Sequence, residues 1–142
     1  MFVGQYSHNL DNKGRVAIPA KFRSELKAAV VTKGLDNCLF LYPQNEWDKI
    51  ASKVANLPMD RPENRAFARA LLAGAVEVEF DKQGRIILPD YLRKFASLDK
   101  NVTIVGLYNR LEIWDEDKWN SYKDESDKNY NKIVETLNDL RS

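Results

Sequence analysis

Apolar and polar positions alternate with a two-residue period near the start of the chain, which is the pattern of a half-buried β-strand. The alternation covers Tyr6–Leu10, and an extended apolar pattern resumes at Arg15–Ile18. Asp11–Gly14, between the two, has the small polar residues and the glycine of a tight turn. Pro19–Leu26 then starts with a proline suited to the first helical position and carries one apolar stripe. The pattern predicts a strand, a turn, a second strand and a short helix.

A second hairpin is predicted directly after this helix. Val30–Thr32 and Cys38–Tyr42 are rich in β-forming residues, and Gly34–Asn37 supplies the turn between them. The same order of elements then returns further along the chain. Its predicted segments are Val76–Phe80, Asp81–Gly84, Arg85–Leu88, Pro89–Phe95, Val102–Val105 and Leu111–Trp114.

These two sets of elements are copies of one repeat. A shift of 70 positions superposes six identical residues in twenty aligned positions, where about one is expected from average residue usage. The identical residues are Gly4, Asp11, Gly14, Arg15, Pro19 and Arg23 in the first copy and Gly74, Asp81, Gly84, Arg85, Pro89 and Arg93 in the second. The repeat predicts two units, at residues 5–47 and 76–119.

Helical spacing of apolar residues fills the rest of the chain. Residues 48–75 form a predicted helical connector, whose first helix follows Asn45 as its N-cap and ends at Pro58. Residues 120–142 form a predicted long C-terminal helix, introduced by Asp115 as a cap. Its apolar side needs a surface to cover it.

Neither unit is large enough to bury a core of its own, because a single hydrophobic core rarely stabilises a domain of fewer than roughly 70–80 residues. The two units are therefore expected to share one core. The predicted fold class is α+β: a single body with pseudo-twofold symmetry, in which the hairpins of one half pair with those of the other.

Composition places the chain among folded proteins of a reducing compartment. It has 142 residues, of which 44% are hydrophobic and 30% charged, so wholesale disorder is not expected. No apolar run approaches the roughly 20 residues that span a bilayer, which predicts a cytoplasmic protein without a membrane partner. The single cysteine, Cys38, lies in an apolar run and is expected to be a small buried side chain.

Catalytic chemistry has little support in the residues. One histidine, His8, and one cysteine do not suffice for a nucleophile–base pair or a four-ligand metal site. The glycine motifs of P-loops and dinucleotide-binding turns do not occur in the sequence. We therefore expect no enzymatic activity, no metal, no cofactor and no small-molecule substrate.

Charge is distributed unevenly along the chain. The net charge is only +1, which by itself does not indicate a nucleic-acid-binding protein. The first 33 residues, however, are basic, while the chain from Glu112 to the end is acidic. The basic N-terminal part contains the first copy of the repeated turn.

The repeated turn Asp-x-x-Gly-Arg is the strongest candidate for function. Asp11 can accept backbone N–H bonds within the turn, and Gly14 can adopt a positive φ. Arg15 can pair with Asp11, or it can point outward toward a phosphate or the O6 and N7 edge of guanine. A hairpin fastened by an ion pair and a DNA contact are both open interpretations.

The turn and its surroundings resemble a known DNA-binding module. Asp-x-x-Gly-Arg, three apolar residues, a proline and a short helix with arginine four residues after the proline resemble the swapped-hairpin module of the AbrB/SpoVT type. Two such modules in one chain, with Gly34–Leu39 and Leu111–Trp114 in the second hairpins, resemble the bacterial MraZ family over essentially the whole sequence. The resemblance implies a duplicated swapped-hairpin β-barrel.

The resemblance also implies a function. It implies a nucleoid-associated transcriptional regulator, acting as a repressor, that binds double-stranded DNA. The expected targets are repeats upstream of the division and cell-wall gene cluster, and the expected assembly is a ring-like homo-oligomer. The DNA contacts it implies are Asn12, Lys13, Arg15 and Arg85, with structural roles in the turns for Asp11, Gly14, Asp81 and Gly84.

The second copy departs from the family pattern. Gln83 stands where the first copy has Lys13. Glu77, Glu79 and Asp81 also give Arg85 an acidic setting that is unfavourable to phosphate. A DNA contact and a structural role for Arg85 therefore both stay open.

Other basic residues leave further alternatives. Arg23 and its copy Arg93 can contact phosphate or fasten the fold. Arg61, Arg65 and Arg69 lie at four-residue spacing, which favours a surface or subunit contact. A rival function from another class is a ring-forming protein–protein adaptor, whose acidic C-terminal helix recruits a partner and whose DNA affinity is incidental.

Overall fold

The computed structural model describes residues 1–137 as a mixed α+β fold with antiparallel sheets, which confirms the predicted class. Its strands are β1 Phe2–Asn9, β2 Arg15–Ala17, β3 Ala29–Lys33, β4 Leu39–Pro43, β5 Val76–Val78, β6 Arg85–Ile87, β7 Asn101–Tyr108 and β8 Leu111–Asp115. Its helices are α1 Ala20–Arg23, α2 Gln44–Ala55, α3 Pro62–Ala73, α4 Asp90–Phe95, α5 Glu116–Lys128 and α6 Tyr130–Glu135, and a 3₁₀ turn at Ser24–Leu26 follows α1.

The strands interlock the two halves of the chain. Six of them form one sheet in the order β1-β7-β8-β4-β3-β5, and β2 pairs with β6 in a two-stranded ribbon. The pairings β1–β7, β3–β5, β4–β8 and β2–β6 each join a strand of the first half to one of the second. Exchanging β1 for β5, β2 for β6, β3 for β7 and β4 for β8 leaves the set of pairings unchanged. The unit limits 5–47 and 76–119 stay predictions, but the two halves are one folded body.

The main core draws its side chains from both halves. Ile18, Phe22 and Leu26 come from the first half and Leu88 and Leu92 from the second, and all five are almost fully buried in one cluster. Full burial of one such side chain contributes about 1.5–3 kcal/mol. Because both halves supply this cluster, separating them would expose its apolar side chains to water.

A second apolar cluster lies on the sheet beside the helices α2 and α5. It contains Cys38, Phe40 and Trp114, with Trp47 of α2 and Trp119 of α5 packed against it. Both tryptophans thus pack as apolar side chains against this cluster. Burial raises the pKa of the Cys38 thiol far above its ordinary value, which keeps the cysteine neutral.

Two helix boundaries differ from the predictions. Helix α2 begins at Gln44 after Pro43, so Asn45 is not its N-cap. The predicted single C-terminal helix is divided at Asn129, whose side-chain amide donates to the backbone oxygen of Glu125 and ends α5. An asparagine that bonds the backbone in this way competes with helix continuation. Residues 138–142 of that prediction lie outside the described residues.

Within residues 1–137, every helix is too short or too polar to cross a bilayer.

Candidate nucleic-acid interface

The two-stranded ribbon of β2 and β6 has one buried face and one outer face. Val16 lies opposite Ile86 in the register, and both side chains are completely buried. Because side chains alternate along a strand, the neighbouring residues point to the other face. That outer face carries Arg15 opposite Ile87 and Ala17 opposite Arg85. The ribbon therefore brings the arginines of both repeat copies to one surface, as diagonal neighbours.

Each arginine follows a turn that its own aspartate organises. In the first turn, one carboxylate oxygen of Asp11 accepts from the backbone N–H groups of Lys13 at 3.0 Å and Arg15 at 2.8 Å. The other oxygen accepts from Nε of Arg15 at 2.6 Å. Asp81 makes the same three bonds in the second turn, to Gln83 and to the backbone and Nε of Arg85, each at 2.9 Å. The two turns are structural copies.

The ion pairs leave part of each guanidinium open to a ligand. The side chains of Arg15 and Arg85 are 30% and 28% exposed. In residues 1–137 the hydrogen bonds of both side chains use Nε alone, so the terminal nitrogens keep their donors. Nη1 of Arg85 also lies 3.9 Å from the Asp11 carboxylate. Pairing with aspartate and presentation to a ligand, which the sequence left as alternatives, are compatible in this geometry.

Hydrogen bonds within the turns lower the pKa of both turn carboxylates. Hydrogen bonding to the backbone N–H of Arg15, together with bonds from the Arg15 side chain and the Lys13 backbone, lowers the pKa of Asp11 to about 2. The backbone N–H of Arg85 is the main cause that lowers the pKa of Asp81. The two turns, residues 11–15 and 81–85, together carry four basic side chains (Lys13, Arg15, Lys82 and Arg85) and two carboxylates (Asp11 and Asp81). The turns themselves therefore carry more positive than negative charge at neutral pH.

The lowered pKa of Asp11 predicts a pH-dependent contribution to stability. Its pKa in the folded chain lies below the ordinary value of about 3.9, so the stabilisation is full above that value and is lost as the pH falls toward 2. We expect the melting temperature of wild type to exceed that of Asp11→Asn near pH 7. The gap should narrow between about pH 5 and pH 2, with Asp81→Asn behaving in the same direction. A gap that stays constant or widens in acid would contradict this assignment. Circular dichroism melts across this pH range provide the measurement.

Cross-contacts between the halves fix both turns. The Gly14 oxygen accepts from the Leu88 N–H at 2.8 Å, and the Gly84 oxygen accepts from the Ile18 N–H at 3.2 Å. Both glycines have positive φ, 82° and 75°, a conformation that glycine adopts without strain. The turn of one half is therefore held by the strand end of the other half.

Arg23 and Arg93 fasten this arrangement rather than face the ribbon's outer surface. Nε of Arg23 donates to the Ile18 oxygen, and Nε of Arg93 donates to the Leu88 oxygen, each at 2.9 Å. A Cβ at Gly14 would lie 2.8 Å from Nε of Arg93, and a Cβ at Gly84 would overlap the Arg23 guanidinium. Each of these arginines thus covers the turn glycine of the opposite half.

Comparison with known proteins decides the family. A family model described as "MraZ protein, putative antitoxin-like" matches the chain twice, over residues 1–70 and 71–141. The chain belongs to the MraZ family. The family resemblance inferred from the turns is confirmed, and the double match agrees with the internal repeat.

Relatives from several bacteria match this MraZ family member along its whole length. The protein named Transcriptional regulator MraZ of Carboxydothermus hydrogenoformans is 51% identical over 141 residues, covering 99% of both chains. The proteins of the same name from Halothermothrix orenii and Syntrophomonas wolfei are 50% and 49% identical over 141 residues, again covering 99% of both chains.

The candidate interface of this MraZ family member contains two residues that sequence reasoning did not select. Lys82 is exposed in the second turn and aligns with Asn12 of the first turn, while Gln83 aligns with Lys13. The second turn therefore also carries one lysine, one repeat position earlier than the first turn does. Ile87 is 61% exposed on the outer face of the ribbon, opposite Arg15. The repeat alignment contained the signal for Lys82. Ile87 becomes visible only through the pairing of β2 with β6.

Asn12 and Lys13 lie where the sequence predicts, on the exposed tip of the first turn. Glu77, by contrast, lies on β5 of the larger sheet rather than on the ribbon. Glu77 and Glu79 nevertheless line one pocket together with Asp81 and Ile87, so the acidic setting expected around Arg85 is present beside the ribbon. Among residues 1–137, no group of His, Cys, Asp or Glu side chains is arranged to hold a metal ion.

Proposed function

We propose that this chain is a DNA-binding transcriptional regulator that places the β2–β6 ribbon in the major groove of double-stranded DNA. The observation that carries the proposal is the outer face of the ribbon, with Arg15 and Arg85 as diagonal neighbours. The major groove admits a two-stranded β-ribbon, and arginine bound to O6 and N7 of guanine is the commonest base-specific contact. The full-length relatives named transcriptional regulators support the same conclusion.

The turns give each contact a separate role. The Asp11 and Asp81 carboxylates hold Nε of the arginines, so little side-chain freedom is lost when the terminal nitrogens meet a base, which favours affinity. Asn12, Lys13 and Lys82 flank the arginines on exposed turns and are suited to phosphate contacts, which position a protein without reading sequence. In this proposal Arg15 and Arg85 contact the bases, while the residues at the turn tips contact the DNA phosphates.

The proposal extends to fold family and assembly. The strand pairings that join the halves support a duplicated AbrB/SpoVT-type swapped-hairpin β-barrel. We propose a ring-like homo-oligomer in the cytoplasm, associated with the nucleoid, that presents several ribbons to repeated DNA elements. Linking modest sites raises overall binding by about 10²–10⁴ when the geometry lets them engage together. Repeats upstream of the division and cell-wall gene cluster are the proposed targets, and repression is the proposed outcome.

Salt and sequence dependence separate this function from the adaptor alternative. In fluorescence anisotropy at physiological salt, a regulator should prefer the DNA upstream of its own gene to a shuffled duplex by roughly 10³-fold or more. An adaptor with incidental affinity should bind both duplexes weakly, equally and with the same salt dependence. Equal affinity for the two duplexes would contradict the proposed function.

A further inference from the structure

Ile87 is an exposed apolar side chain on the outer face of the ribbon, next to both arginines of that face. Arg15 lies directly opposite it, and Arg85 precedes it by two positions on β6. Its neighbours along the chain, Ile86 and Leu88, are completely buried in the main core, whereas Ile87 is 61% exposed. Packing of the core therefore does not account for an isoleucine at this position.

The register of the ribbon brings Ile87 close to Arg15. The Leu88 N–H donates to the Gly14 oxygen, and hydrogen-bonded pairs alternate with non-hydrogen-bonded pairs along an antiparallel ladder. Arg15 and Ile87 are thus a non-hydrogen-bonded pair, the kind whose side chains are closer. Their Cβ atoms are expected about 4.5–5.5 Å apart, and successive nucleotides of one DNA strand are about 3.4 Å apart along the axis. A guanine contact by Arg15 therefore places Ile87 beside a neighbouring base pair.

The surroundings of Ile87 favour an uncharged, apolar group as its ligand. Glu77, Glu79 and Asp81 line a pocket together with Ile87, and carboxylates disfavour an approaching phosphate. The major groove displays one apolar substituent among its donors and acceptors, the C5-methyl group of thymine. This methyl group suits an aliphatic side chain that stands among base edges.

The two halves of the ribbon differ at this point. The repeat places Ala17 of the first half at the position of Ile87 of the second, and Ala17 lies opposite Arg85. The Ala17 side chain ends at Cβ and is only partly exposed, whereas Ile87 is longer and exposed. A long apolar side chain is thus available beside Arg15 and not beside Arg85.

We propose that Ile87 is a specificity-determining residue that contacts the C5-methyl group of a thymine next to the guanine bound by Arg15. The inference rests on the proposed function and adds a second base to those that the ribbon recognises. Because the apolar contact is made on one half of the ribbon only, it also distinguishes the two orientations of the ribbon on the DNA.

Replacing thymine with deoxyuridine tests the contact, since it removes only the C5-methyl groups. Fluorescence anisotropy of the full-length protein compares the DNA upstream of its gene with the same duplex containing deoxyuridine at every thymine position. We expect wild type to bind the deoxyuridine duplex more weakly by about 4-fold for each methyl group contacted, the effect of burying one such group. Ile87→Ala should bind the two duplexes with nearly equal affinity and keep the circular dichroism spectrum of wild type.

Two control variants separate this contact from other effects on binding. Lys82→Ala removes an exposed charge from the second turn, and a phosphate contact does not read sequence. It should weaken binding to both duplexes equally and keep the wild-type ratio between them. Ile87→Val shortens the side chain by one carbon and should give a ratio between those of wild type and Ile87→Ala. Equal ratios for wild type and Ile87→Ala, or a wild-type ratio of one, would overturn the inference.

A shuffled duplex distinguishes failure of this inference from failure of the proposed function. If wild type prefers the upstream DNA to the shuffled duplex and Arg15→Ala loses that preference, but Ile87→Ala keeps the wild-type response to deoxyuridine, the thymine contact is wrong and the function stands. If wild type binds the upstream and shuffled duplexes equally, the proposed function is wrong and the thymine contact is rejected with it.

Discussion

An Arg15→Ala variant is expected to lose the preference for the upstream DNA of its own gene while remaining folded. A bidentate contact between arginine and guanine accounts for about 1–3 kcal/mol of discrimination, which corresponds to roughly 5- to 150-fold in affinity. In the proposed oligomer every engaged subunit loses the same contact, so the loss exceeds that of a single site. The Asp11 carboxylate still accepts from the backbone N–H groups of residues 13 and 15, which preserves the turn.

Two further arginine variants sharpen this result. Arg85→Ala should lower binding in the same way, because Arg85 occupies the equivalent position on the same face of the ribbon. Arg61→Ala is the matched control, since Arg61 also pairs through Nε with a nearby carboxylate, that of Glu63 at 2.7 Å, but lies beside α3. Fluorescence anisotropy measures affinity and circular dichroism checks the fold. If folded Arg15→Ala binds DNA like wild type, or if the substitution unfolds the protein, the proposed base contact by Arg15 is contradicted.

Ile86→Ala is expected to lower the free energy of unfolding by about 2–5 kcal/mol, the cost of truncating a fully buried isoleucine. Ile86 is completely buried opposite Val16 on the inner face of the ribbon. Because both residues belong to the main core cluster, the cavity would weaken the link between ribbon and core. Urea unfolding followed by tryptophan fluorescence provides the measurement.

The adjacent isoleucine is a control of identical chemistry. Ile87 is 61% exposed on the outer face, so Ile87→Ala should change the free energy of unfolding by no more than about 0.5 kcal/mol. Equal losses for the two variants would mean that the ribbon does not have distinct inner and outer faces. Unequal losses in the expected order support the orientation on which the DNA proposal depends.

Local chemistry explains why the strands and turns could be predicted from the sequence. An aspartate three residues before a glycine and four before an arginine contains the donors and acceptors of the turn within five residues. The observed bonds of Asp11 and Asp81 are of this local kind. Alternation of apolar residues likewise depends only on neighbours along the strand.

Contacts between distant residues could not be predicted in the same way. The pairing of Arg15 with Ile87, and the position of the Arg23 guanidinium over Gly84, join residues about sixty to seventy positions apart. The repeat indicated that the halves share a core, but it does not contain the register between them. For this reason the sequence placed Arg15 and Arg85 in separate turns, and only the fold unites them on one ribbon.

Helix ends show the same limit on a smaller scale. Asn129 interrupts the predicted C-terminal helix because its side chain bonds the preceding turn of backbone, although the apolar spacing continues from Tyr130 to Leu137. Apolar periodicity predicts which side of a helix is apolar. It does not predict where a single side chain ends the helix by hydrogen bonding to the backbone.

A crystal structure of the protein bound to the DNA upstream of its gene tests the central proposal most directly. The account predicts the β2–β6 ribbon in the major groove, with the terminal nitrogens of Arg15 and Arg85 within hydrogen-bond distance of guanine O6 and N7. A complex in which this ribbon faces solvent and another surface holds the duplex would contradict it.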